Sequence, residues 1–321
     1  MLRSPLVAGI FSIGLSLLNI SGASGQSFPD KPIRIIVSAP GGGSDFVARL
    51  VSGGISGPLG QPVIVDYRGG GILSADYTSK AQADGYSLIV SGAVLWISPL
   101  MLKTPFEAER DFAPISLLVR EINVVTVHPS LPVKSIKELV DLAKAKPGSI
   151  NYSSSGVGTT DHLITELFKS MAGINIVHVP YKGTATALTA ILGNETQFNI
   201  TDVGNVAGHM KSGKLRGLAV TSAQPTTLVT GLPTVSASGV PGYEAVGRTG
   251  IWAPAKTPAA VINRLNQEIV RTINSQEVKD KFFNAGVEGV GNSPEQFTAE
   301  IKNEIAKISK VIRDANIPTQ R

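Results

Sequence analysis

Apolar and polar positions along this chain repeat one order: a short β-branched run, a glycine-rich turn, then a segment whose apolar residues recur every three or four positions. Ile33 to Val37 is the first such run. Pro40-Gly41-Gly42-Gly43-Ser44-Asp45 follows, and Val47, Leu50 and Val51 line one face of the helix predicted next. Val63 to Val65 leads to Gly69-Gly70-Gly71 and an Ala-rich helical stretch, and Ser87 to Val90 leads to Ser91-Gly92. The pattern restarts near Asn123 with Val124 to Val127. There Ser135-Ile136-Lys137-Glu138 predicts a capping box opening a helix that buries Leu139, Leu142 and Ala143, and Lys146-Pro147-Gly148 ends it.

A strand over Ile150 to Ser153 runs into Ser155-Gly156-Val157-Gly158-Thr159-Thr160-Asp161-His162. The next helix places Leu163, Leu167, Phe168 and Met171 on one face and stops at Gly173. The strands Ile174 to Pro180, Gln197 to Ile200 and Leu215 to Val220, and a helix from Ala185 to Leu192, continue the series. A turn-rich stretch with Pro225, Pro233 and Pro241 follows. Two amphipathic helices close the chain, one opening at Thr257-Pro258 with Ile262, Leu265, Ile269 and Ile273, the other at Ser293-Pro294 with Phe297, Ile301, Ile305, Ile308 and Ile312. Each is read as a hydroxyl cap with Pro at the first helical position.

Strands alternating with helices predict an α/β fold with crossover helices, and two series of similar length predict two lobes, each a mostly parallel sheet flanked by helices. If the late helices return to the first lobe, the chain crosses twice, near Asn123 and near Arg248. Lobe 1 is then 26–123 with 248–321, lobe 2 is 124–247, and the cleft between them is the expected site.

The ends add a compartment. Met1 to Arg3 and the apolar stretch Leu6 to Ile20 have the form of a secretory leader, residues 1–25, with Ala23 and Gly25 placed for cleavage before Gln26. Export to the periplasm follows. The alternative, a membrane anchor, needs a longer uninterrupted apolar run. With no cysteine there is neither a disulfide framework nor a lipid acceptor at the cleavage point. A net charge of +5, carried by scattered residues, suits a small anionic ligand as well as it suits any basic soluble protein, and without Lys/Arg runs it does not indicate nucleic acid.

Catalytic inventories fall short. His128, His162, His178 and His209 form no metal-ligand spacing, so no metal and no cofactor is expected. No G-x-S-x-G elbow occurs, Gly41-Gly42-Gly43-Ser44 lacks a P-loop lysine, and Gly156-Val157-Gly158 lacks the third dinucleotide glycine. A hydrolytic triad drawn from distant residues is the remaining enzyme alternative. A binding reading has a physical basis: glycine loops feeding helix N-termini present unpaired N–H groups backed by the helix dipole, which hold a carboxylate without Lys or Arg. Pro40, Gly41, Gly42, Gly43 and Asp45 in one lobe, and Ser155, Gly156, Gly158, Thr159 and Thr160 in the other, are the candidates. Each loop also has a plainer role as a tight turn. Asp45 satisfies its own helix's first turn more readily than an anionic ligand. Thr159 and Thr160 also read as caps, His162 as packing, and Asp202 as a cap or a water ligand.

At these residues the chain resembles the substrate-binding receptors of tripartite tricarboxylate transporters, the Bug or TctC-like family. The resembling stretches are Phe28 to Arg34, Pro40 to Asp45 with Ala48 to Val51, Leu59 to Val63, Ala83 to Tyr86, Arg110 to Ile115, His128 to Pro132, Ser155 to Thr159 with His162-Leu163, His178-Val179-Pro180-Tyr181-Lys182-Gly183, Gly213 to Arg216 with Leu218 to Thr221, and Leu232 to Val235. They cover essentially the whole mature chain.

The resemblance implies a two-lobed, type II-like periplasmic binding protein that closes on a carboxylate, held by the Pro40 to Asp45 loop and the Gly156 to His162 loop. Asp202 sits near the pocket, and Ser91, Tyr181 and Lys182 join the candidate contacts. It also implies a two-component inner-membrane permease as partner and no cofactor, and a monomer suffices for one cleft. Departures lie at Tyr67 to Leu73, Ser91 to Trp96 and Arg248 to Trp252, so the carboxylate stays open among aliphatic, aromatic and amino acids. Docking on a membrane-bound sensor kinase is a competing use of the same lobes, and an inorganic oxyanion a competing ligand.

Overall fold

Ile33, Ile35, Ile36 and Val37 are fully buried and form β1 (Ile33–Val37), a strand covered on both faces. The computed structural model describes residues 28–320, and the predicted leader, with its cleavage point before Gln26, lies outside them. From β1 the chain runs through α1 (Gly43–Leu59), β2 (Val63–Tyr67), α2 (Gly71–Ser79), β3 (Ser87–Ser91), α3 (Val94–Met101), α4 (Ala108–Asp111) and β4 (Phe112–Glu121). Ile122 alone separates β4 from β5 (Asn123–Val127). Then come α5 (Ile136–Ala145), β6 (Asn151–Ser154), α6 (Thr160–Ala172), β7 (Val177–Pro180), α7 (Thr184–Leu192), β8 (Phe198–Asp202), α8 (Val203–Lys211) and β9 (Arg216–Val220). After a turn-rich stretch the chain ends with β10 (Gly247–Pro254), α9 (Ala259–Ile273), α10 (Gln276–Asn284), β11 (Val287–Gly289) and α11 (Pro294–Asp314).

The strands form two sheets, ordered β11-β4-β10-β3-β1-β2 and β7-β6-β8-β5-β9. The α/β class and the two helix-flanked sheets are as expected, but the sheets are mixed, not mostly parallel. β1 is parallel to β2 and β3, and β6 to β7 and β8. β10 is antiparallel to β3 and β4, β11 to β4, and β5 to β8 and β9. In the second sheet the antiparallel member is β5, which follows β4 directly after Ile122; in the first sheet the reason is β4 and β10, long strands on the two passages between sheets. Neither is followed by a glycine loop and helix, so counting strand, loop and helix units passes over both.

Capping shows which local signals hold. Ser135 accepts from the Glu138 N–H, but the Glu138 carboxylate takes the Lys134 N–H, so the box is only half closed. Ser293 and Gln296 complete theirs, with Pro294 at the first turn of α11. Thr257 does not cap α9; Pro258 holds that position, and the Thr257 hydroxyl donates to the Pro254 carbonyl. Met171, expected on the apolar face of α6, is 41% exposed.

α11 ties the halves together. It packs on β4 and α3 of the first sheet's unit and on α6 of the second. It buries Phe297, Ile301, Ile308, Val311 and Ile312, and Phe297 lies 4.6 Å from the Trp252 ring. One apolar core therefore runs from Trp96 and Trp252 through α11 to Leu163, Phe168 and Tyr243. The lobes also meet on the far side, where Thr226 donates to Glu288 at 2.5 Å.

Candidate functional site

Both predicted binding loops are folded around a carboxylate of their own. In the first, Asp45 is 5% exposed and accepts the Gly41 N–H (2.8 Å), the Tyr67 hydroxyl (2.8 Å) and Arg49 Nε (2.9 Å). Burial pushes this carboxyl up, and the Gly41, Tyr67 and Arg49 donors together outweigh burial, so it lies below the usual carboxylate range. In the second, Asp161 accepts the Ser155 N–H (2.6 Å), the Ser155 hydroxyl (2.8 Å), the Thr159 hydroxyl (2.5 Å) and the His162 N–H (3.1 Å). Gly156 and Gly158, at φ of 147° and 78°, supply the backbone shape that this turn requires. The Ser155 and Thr159 hydroxyls expected to meet a ligand thus serve the loop itself. The Thr160 and Asp161 N–H groups, in the first turn of α6, have no intrahelical acceptor and are the donors left at that helix start.

Behind the second loop is a stack of rings. His162 Nδ1 accepts the Gly158 N–H at 3.0 Å, so its proton sits on Nε2 and the ring is neutral. His162 stacks on His178 at 4.1 Å between centroids, and His178 on Tyr152 at 4.7 Å. His178 Nε2 is 2.6 Å from Ser154 Oγ. Burial lowers both histidines, and His178 drops to about 4 with the neighbouring His162 as a second cause. His162 is therefore a support for the loop and does not line the cavity.

A cavity of about 470 Å³ lies between the sheets. The first sheet's side supplies Ala93, Val94, Ile97 and Ser98 around the start of α3, and Glu121 at the end of β4. The second supplies Ser155, Gly158, Thr159, Thr160 and Asp161, with Asn123, Thr184, Thr201 and Asp202. Two hollows of about 510 and 900 Å³ lie elsewhere, each lined by the first sheet's unit and its helices alone.

The structure thus gathers Ser155, Gly158, Thr159, Thr160 and Asp202 of the predicted set. It leaves others outside the cavity. Pro40, Gly41, Gly42 and Gly43 are exposed at the tip of the first loop, and Asp45 faces into that loop. Ser91 is buried against Gly250 in the sheet, Tyr181 turns to Glu195 at 3.2 Å, Lys182 is exposed, and Gly156 lies in the turn behind the wall.

Of the cavity's acids, Asp202 is expected from the sequence, whereas Glu121 and Asp161 are not. Glu121 Oε1 accepts from the Thr249 hydroxyl at 3.0 Å, and burial raises its carboxyl, with Glu304 adding to the shift. Asp202 is raised to about 7, first by burial, then by the charges of Glu121 and Asp161. The available signals were weak ones: an acid at the first turn of a helix for Asp161, and an acid at the junction of two apolar runs for Glu121.

A model of the family described as tripartite tricarboxylate transporter family receptor matches residues 47–317. Protein BugT of Bordetella pertussis is 32% identical, with 98% of each chain covered. Among solved structures, R. palustris Rpa4515 with adipate is 32% identical, with a TM-score of 0.75 over 91% of this chain and 99% of that one. The periplasmic binding protein BugD is 29% identical, with a TM-score of 0.71 over 91% and 100%.

Proposed function

The chain belongs to the receptor family of the tripartite tricarboxylate transporters, and on that premise we propose that it holds a small carboxylate in the cleft between its lobes and passes it to a two-component membrane permease. The observation that carries the reading is the cavity between the sheets, which the start of α6 enters with Thr159, Thr160 and Asp161. A helix start offers N–H groups and the positive end of its dipole to a carboxylate. The relative crystallised with adipate supports that ligand class.

In this reading lobe 1 is 26–123 with 248–321 and lobe 2 is 124–247. Thr160 and the backbone of 158–161 meet the ligand, Asp202 lies at its side, and the exposed Gly41 to Gly43 tip closes over it. The protein acts as a monomer in the periplasm after cleavage before Gln26, and does no chemistry on its ligand. Among the described residues no helix is long and apolar enough to cross a membrane.

Thermal unfolding against mono-, di- and tricarboxylates, aromatic acids, amino acids, phosphate and sulfate tests this. A ligand at 100 times its Kd adds about 2.7 kcal/mol, a rise of several degrees at roughly 2–4 °C per kcal/mol. A shift with one carboxylate class and none with the inorganic anions supports the proposal. No shift with any carboxylate, in protein refolded to strip carried ligand, removes it.

A further inference from the structure

Glu121 and Asp202 come from different sheets, β4 and β8, and both line the interlobe cavity. Glu121 Oε2 has no hydrogen-bond partner among the described residues, and its other oxygen takes only the Thr249 hydroxyl. Asp202 takes its own N–H and a long 3.4 Å contact from Asn205 Nδ2. Asp161, the third acid, is saturated by its loop. No Lys, Arg or His side chain lines the cavity among the described residues.

The cations around Glu121 are committed elsewhere. On β10, Arg248 serves Glu300 (3.4 Å) and Glu304 (3.1 Å), and Arg120, next to Glu121, serves Glu300 at 2.8 Å. From α11, Glu304 repels Glu121, and Lys307 donates to the Glu244 carbonyl; on β11, Glu288 takes the Thr226 hydroxyl.

A plain carboxylate entering this cleft finds donors at the start of α6 and two uncommitted acids beside them. An anion repelled at one end gains by carrying a cation there. We infer that the ligand is an organic acid bearing an amine, with Glu121 and Asp202 receiving the ammonium while the helix start holds the carboxylate. This rests on the carboxylate-receptor reading above. Burial and the neighbouring Glu121 charge raise the Asp202 carboxyl to about 7, so a bound ammonium displaces its proton and binding releases it.

The test is titration calorimetry of the whole protein with pairs differing only in the amine: L-aspartate and succinate, L-glutamate and glutarate, 4-aminobutyrate and butyrate. Runs at pH 7 in phosphate and in Tris count the protons. The expected result is an aminated acid bound at least about tenfold more tightly than its partner, with net proton release, and a preference that shrinks in Glu121→Gln and Asp202→Asn. Desamino acids bound as tightly, or with proton uptake, overturn the inference and leave the carboxylate reading standing, since the two acids then act as protonated donors to the ligand. Failure of every carboxylate, aminated or not, overturns both. The wild-type panel decides the matter even if a variant does not fold.

Discussion

Gly204 and Gly286 meet back to back across the two lobes: a β-carbon built on Gly286 would lie 3.1 Å from the Gly204 Cα and N. Gly204 lies in the first turn of α8, two residues after the cavity's Asp202, and Gly286 turns from α10 into β11. The contact is backbone on backbone, so neither side has a flexible end to swing away.

Gly286→Ala therefore wedges the lobes, and its φ of 75° adds strain. The expected outcome is a loss of about 1–3 kcal/mol in urea unfolding and a larger radius of gyration by solution scattering. An unchanged radius with unchanged stability would show that the approach is not a pivot.

Asp161→Ala removes the acceptor for the Ser155 N–H, the Ser155 hydroxyl and the Thr159 hydroxyl at once. Orphaned donors at a partly exposed loop cost about 1–3 kcal/mol. Ligand affinity, read by calorimetry, should fall by more than the stability loss implies, because the turn that aims the α6 start is undone. An affinity equal to wild type would mean that the loop does not position ligand.

Acid should destabilise the fold through its histidines. His178 titrates at about 4 when folded, and His162 is also lowered, whereas unfolded histidines titrate near 6.5. The unfolded chain thus binds more protons between those values, and stability present above about pH 6.5 is lost as pH falls through about 4. The histidine contribution is read as the urea midpoint of the wild type minus that of His178→Gln, which keeps a partner for Ser154, and this difference should decline from pH 7 to 5.5 to 4.5; a difference that stays constant would place the cause elsewhere.

Asp202 works in the opposite direction. Its carboxyl is raised to about 7, so the folded state holds the proton more firmly than the unfolded one, and stability falls as pH rises through 7. Asp202→Asn should stabilise the unliganded protein at pH 8 by about 1–3 kcal/mol and do little at pH 4. The comparison is made by thermal unfolding at the two values, and equal effects at both would contradict the assignment.

The sequence showed the βα units because each carries its own local signal: β-branched strand, glycine turn, amphipathic helix. β1 matches its predicted span, Ile33 to Val37, for that reason. β4 and β10 escaped because their meaning is non-local. Gly247 and Pro254 are paired with Glu121 and Phe112, residues more than a hundred positions away, and no periodicity reports such a partner. The same limit applies in the cleft. Thr159 and Thr160 advertise a helix start, but Glu121 becomes a wall of the cavity only when β8, threaded later, sets Asp202 in reach. Asp45, expected to satisfy the first turn of its own helix, instead closes the loop before it through the Gly41 N–H, and Asp161, in the parallel position of the other loop, carries no sequence signal beyond an acid at a helix start.

The carboxylates of Asp45 and Asp161 have a kinetic consequence. Loops closed on internal anions are already ordered before any solute arrives, so capture spends little conformational entropy on them and the rate of uptake should follow the swing of the lobes. α11 packs on both halves and lines no part of the cavity, so on the proposed reading the tempo of capture should be governed by a helix remote from the cargo.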